Sequence, residues 1–324
     1  EAMVPLNTFA DLGQYEPFWQ KIGTVDGTVY WMPLFAQPGD LVWYSPSRFE
    51  EQGYQVPADW SEMEALMDRM VADGTAPWSC GMETGNATGW LATHWITGIL
   101  LRTQGAGFVE QWERREVAWT HPSLKEAFEI FYGICGNDAY ALGGAQGTLE
   151  TNFIHAVWPP FEDPPEAFMV YEFLFVGNVA IRERFPDLVA GEDYAFFPLP
   201  EMNPSIGAPL QVSPGAVFLL NADNPAAVAL VQWMLSEDGG EALAASDLLS
   251  VSPNSRVLPA DYNDPLKVQA AFLIQQAPDF AGPPPFPDDF IRYYRGATVE
   301  YLQGADLDDI LRRLEEQAAS LLDE

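Results

Sequence analysis

A compact apolar run, Ala76-Pro77-Trp78-Ser79-Cys80-Gly81-Met82, leads into a glycine-containing loop and then into a tryptophan-led segment, Trp90-Leu91-Ala92-Thr93-His94-Trp95. The run is short and bounded by turn residues, so it reads as a strand. In the loop, glycine permits tight turns without a Cβ penalty, while Thr84, Asn86 and Thr88 favour turns and helix caps. Beyond it, Trp90, His94, Thr97 and Leu101 share one helical face, and Trp95, Ile96, Ile99 and Leu100 can cover a core. Strand, tight turn and apolar helix in that order constrain the chain to an α/β architecture. The loop also places the Glu83 carboxylate, the Asn86 amide and the hydroxyls of Thr84 and Thr88 beside a flat aromatic surface. That combination suits a sugar, whose hydroxyls need directional partners and whose C–H faces stack on rings. The plainer alternative is a capped helix with ordinary core tryptophans, and this stretch alone leaves both open.

The same alternation recurs along the chain. Val25-Asp26-Gly27-Thr28 predicts two strands joined by an Asp-Gly hairpin turn. Leu41–Tyr44 predicts a strand ended by Ser45-Pro46, followed by a short helix that stops at Gly53. Ser61, with Glu64 three residues later, predicts a capping box opening a helix to Ala72. Further helices are expected from Pro122 to Ile134, Pro225 to Leu235 and Glu237 to Ala245, with more between Pro253 and Ala277. Phe168–Phe175, Phe196–Pro200 and Leu210–Phe218 read as strands. Residues 278–289 hold five prolines, a rigid turn rather than a flexible tail. A helical C-terminus includes Tyr293-Tyr294-Arg295 and runs from Ile310 to Leu322.

Bulk properties narrow the function. The 324 residues suffice for two domains, or one large one, with ample core. No run approaches the roughly 20 apolar residues that a membrane helix needs. Forty-seven acids against fifteen bases give a net charge of −32, a balance that disfavours nucleic acid and anionic lipid as partners. The three histidines, His94, His121 and His155, form no metal-ligand spacing, and neither a Gly-x-Ser-x-Gly elbow nor a phosphate-cradling glycine loop occurs. No metal and no cofactor are expected. A glycosidase needs only two carboxylates about 5–10 Å apart, so it stays open as the enzyme alternative. Cys80 and Cys135 read as two separate buried thiols, with one bridge in an oxidising compartment as the alternative.

Several segments arrive in one order: Leu41–Tyr44; Tyr54-Gln55-Val56-Pro57 with Trp60; Trp78–Glu83 with Gly89-Trp90; and Leu100-Leu101-Arg102. Tyr140 with Gly143-Gly144, Phe161 with Asp163-Pro164-Pro165, Gly191–Pro198 and Ser252-Pro253-Asn254 follow. Together they resemble the family 1 extracellular solute-binding proteins of ABC importers, in particular the α-glucoside and oligosaccharide branch. The resemblance implies a periplasmic-binding-protein type II-like α/β fold, two lobes joined by a hinge. It further implies an N-terminally truncated chain with part of lobe one missing, which predicts aggregation or weak binding by this piece alone. Crossings near residues 41–46 and 208–215 would divide it into 1–45 with 209–258, the remaining part of lobe one, and 46–208 with 259–324, lobe two.

The resemblance also carries over a site. Glu83, Asn86 and Thr88 match the loop that touches sugar hydroxyls, and Trp90 matches a stacking platform. His94 stands where an aspartate is common, as a polar contact or a satisfied histidine. Tyr171, Glu172 and Phe173 fall on the family's contact strand, where a His-Arg pair is usual and Val170-Tyr171 stands here. Gln211 and Ser213 lie on the return crossing, whereas Trp43 and Tyr44 read as hinge-strand core. Tyr294 and Arg295 fall where relatives often stack a tryptophan. A guanidinium there hydrogen-bonds ring oxygens or pairs a carboxylate, which shifts preference toward an acidic or differently shaped sugar. The implied protein is a periplasmic or extracellular monomer without catalysis, lipid-anchored in one variant of this reading. Its partners are a small-molecule sugar and the transmembrane subunits of an ABC importer, and the alternative ligand is a non-sugar polar solute.

Overall fold

The computed structural model describes residues 3–221 and 223–320. Strand β1 (Thr24–Val25) and β2 (Thr28–Val29) form the expected hairpin, with Asp26 and Gly27 both at positive φ, as its two-residue turn demands. Strand β3 (Trp31–Pro38) is followed after two residues by β4 (Leu41–Tyr44), then come β5 (Ala76–Ser79), β6 (Ala167–Glu172), β7 (Ala195–Pro198), β8 (Leu210–Phe218) and β9 (Phe280–Ala281). Helix α1 (Pro17–Ile22) precedes the hairpin; α2 (Pro46–Gln52), α3 (Trp60–Ala72), α4 (Trp90–Gln104), α5 (Ala106–Glu113), α6 (Pro122–Cys135), α7 (Gly144–Glu150) and α8 (Phe153–Ala156) lie between β4 and β6. After β8 come α9 (Pro225–Met234), α10 (Glu237–Ala244), α11 (Pro265–Gln276), α12 (Asp288–Leu302) and α13 (Leu307–Ser320). Leu321 and Leu322, included in the expected last helix, lie outside the described residues.

Two sheets organise these elements. One has the order β3-β8-β9 and the other β5-β6-β4-β7. Strand β4 lies antiparallel to both β6 and β7, pairing Leu41 with Glu172 and with Pro198. The second sheet is covered on both faces, so every residue of β6 is buried. One face packs Trp78, Met169 and Tyr171 against α3, α4, α6, α12 and α13 through residues such as Met67, Trp95, Phe128 and Leu314. The other packs Trp43, Val170 and Phe196 against Leu249, Val251, Val257 and Leu266. The first sheet has its own core, where Met32 and Val212 meet Leu6, Trp19, Val231 and Leu235. Residues 249–257 therefore share a core with the second sheet, while α9 shares one with the first.

The chain passes from the first sheet to the second through only Gly39 and Asp40, and it returns through residues 199–209. Glycine is required at 39, because a Cβ there would lie 2.7 Å from carbons of both the His94 and Phe173 rings.

Two local expectations need correction. Helix α3 is capped by Asp59, not Ser61: the Asp59 carboxylate accepts from Glu62 N at 2.9 Å, and the Glu62 carboxylate accepts from Ala58 N at 2.8 Å. An extended residue with a charged acceptor at the positive helix end outcompetes a hydroxyl placed inside the first turn. Cys80 and Cys135 are joined by a disulfide, with Cα atoms 5.8 Å apart, rather than being separate thiols. Packing of α6 beside β5 brings together two cysteines 55 residues apart, a long-range proximity that no local pattern encodes.

Candidate functional site

The two crossings meet at Asp40, which is fully buried and adopts φ of +56°. Its carboxylate accepts from Gln211 N at 2.8 Å, from Gln211 Nε2 at 2.5 Å and from the Tyr171 hydroxyl. Arg102, fully buried on α4, brings Nη1 to 3.5 Å from the same carboxylate and donates through Nε to Leu199 O at 2.9 Å and through Nη1 to Pro209 O. Asp40 O in turn accepts from Leu199 N at 2.7 Å. One ion pair thus ties both crossings to α4 and β6. Burial lowers the Arg102 pKa, and the Asp40 charge opposes that shift. Burial and the neighbouring Asp40 push the Tyr171 phenol well above its ordinary range, so it stays a donor.

Beside this junction a column of rings runs out of the core. Tyr171 stacks on Trp95 at 4.0 Å and on His94 at 4.6 Å, and His94 stacks on Phe173 at 4.1 Å between centroids. Trp90 lies nearly parallel to Phe173 at 6.2 Å, with 27° between planes. Of these rings, Trp90, His94 and Phe173 form one wall of a cleft of about 530 Å³ between the two sheets. Gln37, Gln211 and Ser213 come from β3 and β8, Thr93 and Thr97 from α4, and Asp288, Ile291 and Arg295 from α12. Phe175 and the Pro283-Pro284-Phe286 turn complete the lining. The size, the apolar wall and the few polar groups are those of a small-molecule pocket.

This cleft holds several polar atoms with unspent hydrogen-bonding capacity. His94 is 5% exposed, yet neither ring nitrogen has a partner. Burial drives its pKa down to about 4, with Asp40 and Gln211 pulling weakly the other way, so the ring is neutral and offers one donor and one acceptor. Gln37 donates to Leu249 O at 2.9 Å but leaves Oε1 unpartnered, and Arg295 leaves Nε unpartnered. Buried polar atoms without partners are costly in a protein core and call for an occupant. A second cavity of about 530 Å³, lined by Phe18, Trp19, Ser252 and Asn254, differs: Asn254 donates to Gln14 at 3.0 Å, and Ser252 Oγ accepts from Asn254 N at 3.3 Å.

Of the residues singled out in the sequence, Trp90, His94, Phe173, Gln211, Ser213 and Arg295 come together at the cleft. Tyr171 lies one ring behind His94 and is 1% exposed. Glu83, Asn86 and Thr88 are absent from the lining: Glu83 accepts from Gly85 N and Asn152 Nδ2, both at 2.8 Å, and Thr88 Oγ1 bonds Thr84 N and Gly85 O inside the loop. Those bonds, Asn152 first, hold the Glu83 carboxyl below its ordinary pKa. Glu172 lies on the opposite face of β6, fully buried, and burial pushes its pKa well up, favouring the neutral acid. Tyr294 is fully buried, 4.8 Å from the Trp119 ring. Trp43 is core, as expected, and 0% exposed. Sequence reasoning missed Gln37, Thr93, Phe175 and Asp288 in the cleft and Asp40 beneath it. The two-residue link between β3 and β4 was the available signal for Asp40.

The profile of the bacterial extracellular solute-binding proteins matches residues 2–241. The chain is 32% identical over 305 residues to the osmoprotective compounds-binding protein GgtB of Synechocystis sp., an alignment covering 93% of this chain and 70% of that protein. It is 31% identical over 264 residues to the alpha-glucosides-binding periplasmic protein AglE of Rhizobium meliloti, covering 79% of this chain and 56% of the relative. Among solved structures, the bacterial solute receptor AcbH, with an exclusive substrate preference for β-D-galactopyranose, superposes with a TM-score of 0.78 at 21% identity. That match covers 98% of this chain and 79% of AcbH, and it establishes a shared fold.

Proposed function

The chain belongs to the bacterial extracellular solute-binding protein family, and from that premise we propose that it captures a sugar in the cleft between its two sheets and hands it to the transmembrane subunits of an ABC importer. The observation that carries this reading is the pairing of an aromatic wall, Trp90 and Phe173, with the partnerless nitrogens of neutral His94. Rings take the C–H face of a sugar, and a neutral donor–acceptor imidazole suits hydroxyls that both give and receive hydrogen bonds. Relatives named for alpha-glucosides and osmoprotective compounds favour an α-glucoside or an oligosaccharide.

The two sheets act as the cores of two lobes that close by rotation about the crossings, with Asp40 at the pivot. The first division lies near residues 39–45. The second falls between β7 and β8, and the shared core of Val251 and Val257 with Phe196 supports placing the third nearer Leu235 than residue 258. The protein works as an extracytoplasmic monomer, where a disulfide persists. Binding without hydrolysis is the reading favoured here, since glycoside cleavage needs a pair of carboxylates and the residues lining this cleft include one, Asp288.

Thermal unfolding against a panel of mono- and oligosaccharides, amino acids and polyamines tests the reading. A sugar present at about 100 times its Kd stabilises the protein by roughly 2.7 kcal/mol, a rise of a few degrees. Stabilisation confined to amino acids or polyamines would keep the family and remove the sugar, and glucose release from an aryl glycoside would replace binding by hydrolysis.

A further inference from the structure

Arg295 is anomalous in this chain. Forty-seven acids surround fifteen bases, and among the described residues every arginine except Arg115 and Arg295 has a carboxylate oxygen within 4.0 Å. Arg115 donates to the Ala318 carbonyl at 3.3 Å. Arg295 lines the cleft, and among the described residues its guanidinium makes neither a hydrogen bond nor an ion pair. Such a side chain is acceptor-starved: it carries five N–H donors, accepts nothing and stays charged.

Its surroundings increase the demand for an anion. The Arg295 backbone packs against Gly89, where a Cβ would lie 2.5 Å from the Arg295 carbonyl oxygen. Gly89 is the N-cap of α4 and provides no side-chain acceptor for Arg295. Asp288, two turns earlier on α12 and exposed, is the acid that offsets the Arg295 charge, and it has not closed to hydrogen-bonding distance. His94, neutral, nine-tenths buried and partnerless, adds a donor to the same cavity without adding charge. The cleft therefore holds a local cationic spot inside a strongly anionic molecule.

Resting on the reading of this cleft as a sugar site, we infer that its preferred ligand is an anionic saccharide, one bearing a carboxylate, with the acid group paired to Arg295 and the pyranose face laid on the Trp90–Phe173 wall. A bidentate guanidinium–carboxylate pair satisfies the free donors and fixes the orientation of the ring. The net charge of −32 slows the approach of such a ligand but does not cancel the pair, because the long-range field is screened within about 8 Å at physiological ionic strength whereas the contact is not. Adding salt should therefore speed association and leave dissociation little changed.

Isothermal titration with matched pairs separates the possibilities: methyl α-D-glucoside against methyl α-D-glucuronide, and a neutral oligosaccharide against its terminal uronate. The acid member of a pair binds about tenfold tighter or better, the size of one charge-assisted contact. Arg295→Gln brings the acid-to-neutral ratio close to one, and Arg295→Lys keeps part of it. Since the ratio is read within each protein, a variant of altered stability still reports it, and the wild-type ratio stands without any variant. Equal or tighter binding of the neutral member would overturn the inference while leaving the sugar reading intact. Silence toward every saccharide, with binding of an amino acid or polyamine, would overturn both.

Discussion

Two polar clusters lie side by side at the centre of this molecule and have opposite hydrogen-bond accounts. Around Asp40 the carboxylate is closed off: both oxygens are met by Gln211, Tyr171 and Arg102, at 0% exposure for Asp40 and Arg102. Arg102 Nη2 is the one buried polar atom of these side chains left without a partner among the described residues. Around the cleft, His94, Gln37 and Arg295 retain partnerless atoms although each sits on rigid helix or strand. The difference separates two uses of buried polarity: a closed network fixes where the two sheets join, and an open one waits for something from solution. The polar loop at Glu83, the larger sequence signal, lies outside the lining of this cleft. The Glu83 carboxylate is held by Gly85 N and Asn152, and the Thr88 hydroxyl by Thr84 N and Gly85 O.

Removing one member of the closed network should have the largest effect. Arg102→Met strands the Asp40 charge and should cost about 3–5 kcal/mol in chemical denaturation. A loss below about 1 kcal/mol would show that the crossing does not depend on the pair. Breaking the Cys80–Cys135 bridge by a Cys135→Ser change should cost about 2–4 kcal/mol, read by the same method with reductant on the wild type as a control.

The open network should respond to pH. His94 titrates near 4 in the native protein, below its unfolded value of about 6.5, so the unfolded chain binds the extra proton between those values. Its contribution is complete above about pH 6.5 and is lost as pH falls toward 4, by up to about 3 kcal/mol. Glu172, whose native pKa is raised, acts with the opposite sign, its contribution fading as pH rises past its unfolded value; comparison with His94→Gln isolates the imidazole share. An acid limb identical in both proteins would contradict the assignment.

Smaller effects follow at the surface of the cleft. Trp90→Ala should weaken binding by about 2 kcal/mol, roughly thirtyfold in Kd, since a half-buried ring that stacks on ligand loses more affinity than stability. Glu83→Gln should change ligand affinity by less than about 0.5 kcal/mol, because its carboxylate serves the loop. A larger loss there than at Trp90 would reverse the comparison.

Legibility in the sequence follows the range of the interaction. The Asp26-Gly27 hairpin, the Gly53 stop of α2 and the helix beginning at Trp90 depend on neighbours a few residues away, and all are present where local chemistry places them. The family resemblance points to Trp90 as a match and to His94 and Arg295 as departures at family contact positions, but their convergence on one cavity depends on α4 and α12 packing together. The Asp40 junction joins residues 40, 102, 171 and 211, and the disulfide closes a span of 55 residues, so a short window holds at most the β3–β4 link and none of the partners. The cap of α3 fails for a different reason: Asp59 and Ser61 are both good cap residues, and only the backbone angle at 59 selects between them.

The most direct test of the account is the dissociation constant, by isothermal titration, of the saccharide that most stabilises the wild type, measured side by side for wild type, Trp90→Ala and Glu83→Gln. Loss of affinity at Trp90 with Glu83→Gln close to wild type is the predicted result. Unchanged affinity in Trp90→Ala, in a protein that still unfolds cooperatively, would move the ligand out of this cleft.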